Sequence, residues 1–193
     1  MKTAISLGWA CFSTMYGVHT GLRERKSSGY KTCPFDLMLT NIEGVLDCIR
    51  TDFEDFLNLN YFDCTTHLPK EYFPVNTKYD FKFNHEGFDN FIGPRSKIWA
   101  PEYQQKFLDR YNTRVDNFRY YCNNAEYITF IAQESPSDLP SNKIVVSTIE
   151  QTIQEAYPKL DFGLIVLPPQ SHPEHPDYND DSEWYIQMTG FQK

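Results

Sequence analysis

The first candidate for chemistry in this sequence is a cysteine at a predicted strand-to-helix turn. Residues 6–12, SLGWACF, follow a short apolar segment and precede apolar residues at helical spacing. The unpaired amides and the dipole of a helix N-terminus favour an anion, so they would lower the pKa of Cys11. The same amides can hold an oxyanion, which places Gly8 and Trp9 at a predicted substrate site. The pattern indicates a nucleophilic thiol; the alternative is a small, buried core residue.

A thiol nucleophile needs a base, and His85 is the histidine best placed for that role. It follows the alternating aromatic segment 76–84, which predicts a half-buried strand. A carboxylate beside the imidazole would orient it and stabilise its protonated form, and Asp36 and Glu86 are two of the candidates for this third catalytic position. Asp36 follows Pro34 in a stiff turn, where its alternative role is a turn cap. The alternative for Glu86 is a solvent-exposed side chain.

Two arginines on one predicted helix suggest a second kind of chemistry. Arg110 and Arg114 are four residues apart, so they share a helix face and could clamp a phosphate or carboxylate. With the amides at the Cys11 helix end, they support a transferase or ligand-binding module for a phosphate-bearing ligand. Their alternative is a pair of exposed surface charges. A third hypothesis is a non-catalytic interaction protein whose contact surface is the acidic loop 171–183.

The remaining cysteines and histidines predict neither a metal nor a cofactor. The five cysteines form no CxxC pair and match no zinc template. The short apolar N-terminal segment is not typical of a signal peptide, so free thiols in a reducing compartment, the cytoplasm, are expected. His172 and His175 are spaced like metal ligands, but each precedes a proline in an acidic loop, which favours a surface loop.

Charge and hydropathy argue against two classes of partner. The formal net charge of -8 disfavours non-specific nucleic-acid binding, which needs clustered Lys and Arg. No apolar run approaches the roughly 18 residues of a membrane helix. The expected partner is therefore a peptide, an acyl compound or a phosphate-bearing small molecule, and the sequence does not indicate an oligomeric state.

The elements that must position these residues alternate along the chain. Strands are predicted over 2–7, 126–132 and 162–167, with a short one over 184–188, and helices over 10–23, 41–58, 101–122 and 144–157. This alternation predicts an α/β fold, a single layered domain over 1–193 with a largely parallel central sheet flanked by helices. The segment 76–84 would be an edge hairpin or an insertion, and residues 168–183 a polar, proline-rich loop.

Four motifs in this order resemble a known family. They are Ser6-Leu7-Gly8-x-x-Cys11, Cys33-Pro34-Phe35-Asp36, Phe83-Asn84-His85-Glu86 and Arg110-x3-Arg114-x2-Asn117-Phe118. They make the chain similar to the proposed papain-like cysteine peptidase family, a domain of unknown function in bacteria and large viruses. The resemblance implies Cys11 as nucleophile and His85 as base, with a papain-like α+β fold as the alternative architecture. Our leading hypothesis is a cysteine-nucleophile hydrolase acting on an amide or acyl bond.

Overall fold

The computed structural model describes most of the chain as far as residue 169. The described residues are 1–9, 11–66, 72–86, 99–135 and 143–169, without the side chains of 64–66 and 72. Some of our predictions lie outside them: the short strand over 184–188, the loop 171–183 and nearly all of the loop 168–183, and the histidines His172 and His175.

Four helices and six strands make up the described fold. In chain order they are β1 (Lys2–Ser6), α1 (Cys11–His19), α2 (Ile42–Arg50), β2 (Phe62–Thr66), β3 (Tyr72–Asn76), β4 (Phe81–Lys82), α3 (Pro101–Asn124), β5 (Tyr127–Gln133), α4 (Val146–Ala156) and β6 (Phe162–Leu167). A 3₁₀ turn over Pro34–Leu37 follows Cys33. No described helix is long and apolar enough to cross a membrane.

Three of the strands form a parallel sheet in the order β1-β5-β6. Helix α1 covers one face, where it meets a small apolar cluster that contains Ala4, Ile131 and Leu167. The opposite face belongs to the main core, with Ile5, Ile128 and Phe130 packed together with residues of α2, α3 and α4. Helices therefore lie on both faces of a parallel sheet, which confirms the predicted α/β fold.

The second sheet is antiparallel and corrects the single strand predicted over 76–84. Strands β2, β3 and β4 pair in that order, and a turn over 77–80 separates β3 from β4. Asp80 has a φ of 52°, in the left-handed region, so the chain reverses there. The alternating aromatic residues are buried as predicted: Tyr79, Phe81 and Phe83. The segment thus belongs to a separate antiparallel sheet and does not extend the edge of the parallel one.

Helix α2 ends earlier than the predicted limit of residue 58. Asn41 caps it by accepting a hydrogen bond from the Gly44 amide at 2.7 Å, as its position predicts. Asp52 and Phe53 have positive φ values of 48° and 63°, which a helix cannot contain. The apolar stripe still reaches the core beyond this break, because Phe53 and Phe56 remain buried.

Helix α3 is the element that connects the rest of the fold to the candidate site. Pro101 stands at its first position, as predicted, and its buried face is largely aromatic. Phe107 packs on Phe83 with ring centroids 5.0 Å apart, and Phe118 packs on Phe130 at 6.3 Å. One apolar cluster therefore runs from the antiparallel sheet across α3 to the parallel sheet.

Candidate active site

A glycine turn and two serines set the start of α1, and with it the position of Cys11. Gly8 has a φ of +87°, in the left-handed region that other residues rarely adopt. Its amide donates a hydrogen bond to the Ser6 hydroxyl, and its carbonyl accepts one from the Ser13 hydroxyl, both at 3.0 Å. The two hydroxyls are themselves 2.5 Å apart. Cys11 is the first residue of the helix that follows, as the sequence predicts.

Thr40 packs against this turn, and no sequence pattern marked it. A Cβ atom at Gly8 would overlap the Thr40 hydroxyl, so the turn has room only for glycine. The hydroxyl is buried and has no hydrogen-bond partner in the described structure. Two independent constraints, the backbone conformation and this close approach, therefore require glycine before Cys11.

His85 lies in a turn that is anchored by its neighbour Glu86. The Glu86 amide donates to the Phe83 carbonyl at 2.9 Å, which closes the turn. The Glu86 carboxylate is 3% exposed and accepts hydrogen bonds from Arg110 at 2.5 and 2.6 Å and from the Tyr103 hydroxyl. Both of these donors belong to α3. The backbone that carries His85 is therefore tied to the central helix through an ion pair whose carboxylate is buried.

Cys11 and His85 meet although 74 residues separate them in the chain. The Cys11 Sγ lies 2.9 Å from the His85 Nε2, within hydrogen-bond reach. Cys11 is half-buried and His85 is exposed, so a small molecule can reach the pair. No other hydrogen bond of His85 is seen among the described residues. The arrangement is a two-residue thiol–imidazole pair at the N-terminus of a helix.

The position of Cys11 at a helix N-terminus predicts a lowered thiol pKa, and the structure corrects this prediction. Burial raises the pKa of Cys11 to about 11; its own backbone amide lowers it, and the charge of Asp36 raises it further. Burial also lowers the pKa of His85, as does the positive charge of Arg114, while Glu86 acts in the opposite sense. Because His85 is exposed, solvent limits the size of its shift. Both shifts favour the uncharged thiol and the uncharged imidazole at neutral pH.

Asp36 lies in a second polar centre, which contacts α1 through the Thr14 hydroxyl. Its Oδ1 accepts from Arg23 at 2.8 Å and from the Thr14 hydroxyl at 3.2 Å, and its Oδ2 accepts from the Cys33 amide at 2.7 Å. Its side chain is 1% exposed and that of Arg23 is 6% exposed, so this is a buried ion pair. Within the described structure neither Asp36 nor Glu86 contacts the His85 imidazole. The predicted turn cap accounts for Asp36, whose bond to the Cys33 amide closes the 3₁₀ turn.

A known protein family matches the part of the chain that contains Cys11 and His85. The profile of the family described as "Putative papain-like cysteine peptidase", a domain of unknown function, matches residues 2–170. The chain belongs to this family. The match covers both members of the Cys11–His85 pair and every described element. Comparison with curated proteins and with solved structures gave no match.

The family motif on α3 contains two arginines that the structure separates. Arg110 is committed to Glu86, whereas Arg114 stacks on the Tyr111 ring, with its guanidinium carbon 4.4 Å from the ring centroid. The Arg114 Nη1 is buried without a hydrogen-bond partner in the described part of the chain. The two therefore do not form one clamp, although the i, i+4 spacing predicted it. Trp9, the other predicted substrate contact, is half-buried between Gly8 and Cys11.

Among the described side chains Cys11 is the most accessible cysteine of this family member. Cys33, Cys48 and Cys122 are free thiols but buried, and burial raises the pKa of each. The described residues contain no group of three or more histidine, cysteine or carboxylate side chains that could hold a metal ion.

Proposed function

We propose that the protein is a cysteine-nucleophile hydrolase that cleaves an amide or acyl bond, with a peptidase-like reaction as its family suggests. The 2.9 Å approach of the Cys11 Sγ to the His85 Nε2 carries the proposal. This separation allows direct proton transfer between a nucleophile and its base. Cys11 also stands at a helix N-terminus, where backbone amides are available to a developing oxyanion.

The uncharged resting state determines how the first step would run. As the Cys11 sulfur attacks the carbonyl carbon, His85 takes the thiol proton, so the base and the nucleophile act together. Collapse of the tetrahedral intermediate breaks the bond to the leaving group, which receives the proton from His85. Water then hydrolyses the thioester with His85 as base, which releases the acid and restores the thiol.

Glu86 and Arg114 would support His85 in different ways. Glu86 fixes the backbone of the His85 turn through Arg110 and Tyr103, and we assign it a positioning role. Burial and then the charge of Arg114 lower the pKa of His85, which favours the unprotonated form that accepts a proton. Neither Asp36 nor Glu86 is needed as a direct partner of the imidazole in this mechanism.

The test uses an activated ester, p-nitrophenyl acetate, as a generic acyl donor. We expect a burst of p-nitrophenolate and an acetyl group on Cys11, located by peptide mass mapping. The Cys11→Ala variant should lose the burst, whereas Cys48→Ser, which alters a buried thiol, should keep it. A wild-type burst with the acetyl group on another residue, or no acetylation at all, would refute the proposal.

We also propose a cytoplasmic location, since free thiols, as at the four described cysteines, are typical of a reducing compartment. A test is the redox state of Cys33 and Cys122 in protein alkylated at the moment of cell lysis. Both should carry the alkyl label without prior reduction. A disulfide at either position would contradict this placement.

A further inference from the structure

Arg114 carries a positive charge that no described carboxylate balances. Its Nη1 is buried and without a hydrogen-bond partner, and among the described residues it forms no ion pair. Arg110, one turn earlier on α3, is paired with Glu86 at 2.5 Å. Arg114 as a whole is half-buried, but a buried guanidinium nitrogen without a partner is costly, and an anion from outside would lessen that cost.

Two ring contacts connect Arg114 on α3 to the segment that carries His85. Its guanidinium lies over the Tyr111 ring, and the Tyr111 ring lies 4.8 Å from that of Phe83, two residues before His85. Burial and then the charge of Arg114 lower the pKa of His85, which agrees with this close placement.

Stacking orients the guanidinium without using its hydrogen-bond donors. A cation over an aromatic face is held by the charge distribution of the ring, so the N–H groups at the edge of the guanidinium plane stay available. Arg114 is therefore held in place with at least one donor unused.

We propose that Arg114 binds an oxyanionic group of the substrate, a carboxylate or a phosphate, beside the Cys11–His85 pair. This inference rests on the proposed function and names its substrate class, an amide or acyl compound with a negative charge near the scissile carbonyl. The chain as a whole has a net charge of -8, so its overall field does not attract such a substrate. Recognition of the anion must be local, and Arg114 supplies it.

Iodoacetate and iodoacetamide test whether Arg114 binds an anion, because they carry the same reactive group and only iodoacetate is negatively charged. For Cys11 and for glutathione, the rate with iodoacetate is divided by the rate with iodoacetamide. The ratio for Cys11 should be about 10 times the ratio for glutathione, which is the effect of one charge-assisted hydrogen bond. In Arg114→Gln the normalised ratio should fall to about one, and Arg114→Lys should restore part of it. Arg119→Gln is the matched control, since it removes a cation of the same helix that is paired with Asp52 and Asp116.

A second measurement needs no reaction at Cys11. The pKa of His85, followed by NMR, should rise when succinate or inorganic phosphate neutralises Arg114, and the anion that acts at the lower concentration identifies the group. The Arg114→Gln variant should show a raised His85 pKa that neither anion changes. An unchanged pKa with both anions in the wild type, or a preference for iodoacetate that survives in Arg114→Gln, would overturn the inference. Failure of the proposed function is separate, because that is read from the acetyl group on Cys11.

Discussion

Two polar centres flank helix α1, and they differ in how their charges are balanced. In the first centre, Asp36 and Arg23 form a buried ion pair, and both oxygens of the Asp36 carboxylate accept hydrogen bonds. At its N-terminus, Cys11 and His85 form an uncharged pair, and the neighbouring cation, Arg114, has no counter-charge among the described residues. The charges of the first centre balance each other, whereas the cation of the second has no counter-charge among the described residues.

This difference separates a structural role from a chemical one. Removing one partner of a buried ion pair leaves the other charge buried and unpaired, so the fold depends on both. A half-exposed thiol–imidazole pair contributes little to folding, because solvent reaches both groups. Substitutions in the Asp36 centre should therefore change stability, and substitutions in the Cys11–His85 pair should change reactivity.

The largest effect on stability is expected at Asp36. Asp36→Asn removes the counter-charge of Arg23, and we expect the free energy of unfolding to fall by about 3–5 kcal/mol in urea denaturation. Asp116→Asn, at an exposed ion pair on α3, should cost no more than about 1 kcal/mol. If the two variants lose the same stability, the buried Asp36–Arg23 ion pair does not stabilise the fold more than an exposed one does.

Glu86 should affect both stability and reactivity, because it connects the pair to the fold. Glu86→Gln weakens hydrogen bonds to Arg110 and Tyr103, with an expected cost of about 1.5–3 kcal/mol in the free energy of unfolding. Acetylation of Cys11 should also slow, by about 10-fold, because the His85 turn loses its anchor. Glu126→Gln, at an exposed ion pair with the N-terminus, should change neither quantity appreciably. An unchanged acetylation rate in Glu86→Gln would remove its positioning role.

Alanine substitutions at two glycines, Gly8 and Gly21, measure separately the effect of the close contact at the start of α1. Gly8→Ala meets both the positive φ and the Thr40 hydroxyl, so we expect a loss of about 2–3 kcal/mol in thermal or urea unfolding. Gly21→Ala has a positive φ of 71° but nothing within 4 Å, so it should lose only about 1 kcal/mol. Adding Thr40→Ala should recover part of the Gly8→Ala loss. Equal losses at the two glycines would show that Thr40 does not restrict the turn.

The smallest effect on stability is expected at His85. Its pKa is lowered in the folded state, so the protonated form disfavours folding. The contribution of the neutral imidazole is full above the ordinary pKa of about 6.5 and is lost as the pH falls through the lower folded value. His85→Gln should change the free energy of unfolding by about 0.5 kcal/mol or less at pH 7.5, and should lessen the loss on acidification. A large destabilisation at neutral pH would place His85 among the structural residues.

Local signals in the sequence singled out the two members of the pair as candidates, and the family resemblance joined them. Cys11 follows a glycine turn at a strand end, and His85 ends an alternating aromatic segment. The parallel sheet followed from the alternation of strands and helices. These features depend on residues close together in the chain.

Contacts between distant residues could not be predicted in the same way. The partner of Asp36 proved to be Arg23, and the partner of Glu86 proved to be Arg110, because tertiary packing decides which cation reaches which carboxylate. The i, i+4 spacing made Arg110 and Arg114 look equivalent, although only Arg110 has a carboxylate partner in the described structure. Burial likewise outweighed the helix-terminus effect on the Cys11 pKa, and burial is a property of the whole fold.

The most direct test of the account is the acetylation rate of Cys11 by p-nitrophenyl acetate in wild type and in His85→Gln, measured in single turnovers across pH. The wild-type rate should be about 10²–10⁴-fold higher at pH 7.5, and should fall below pH 6.5 as His85 becomes protonated. His19→Gln, at the exposed end of α1, should match the wild type. If His85→Gln acetylates Cys11 as fast as the wild type at every pH, then Cys11 and His85 are neighbours without a shared reaction.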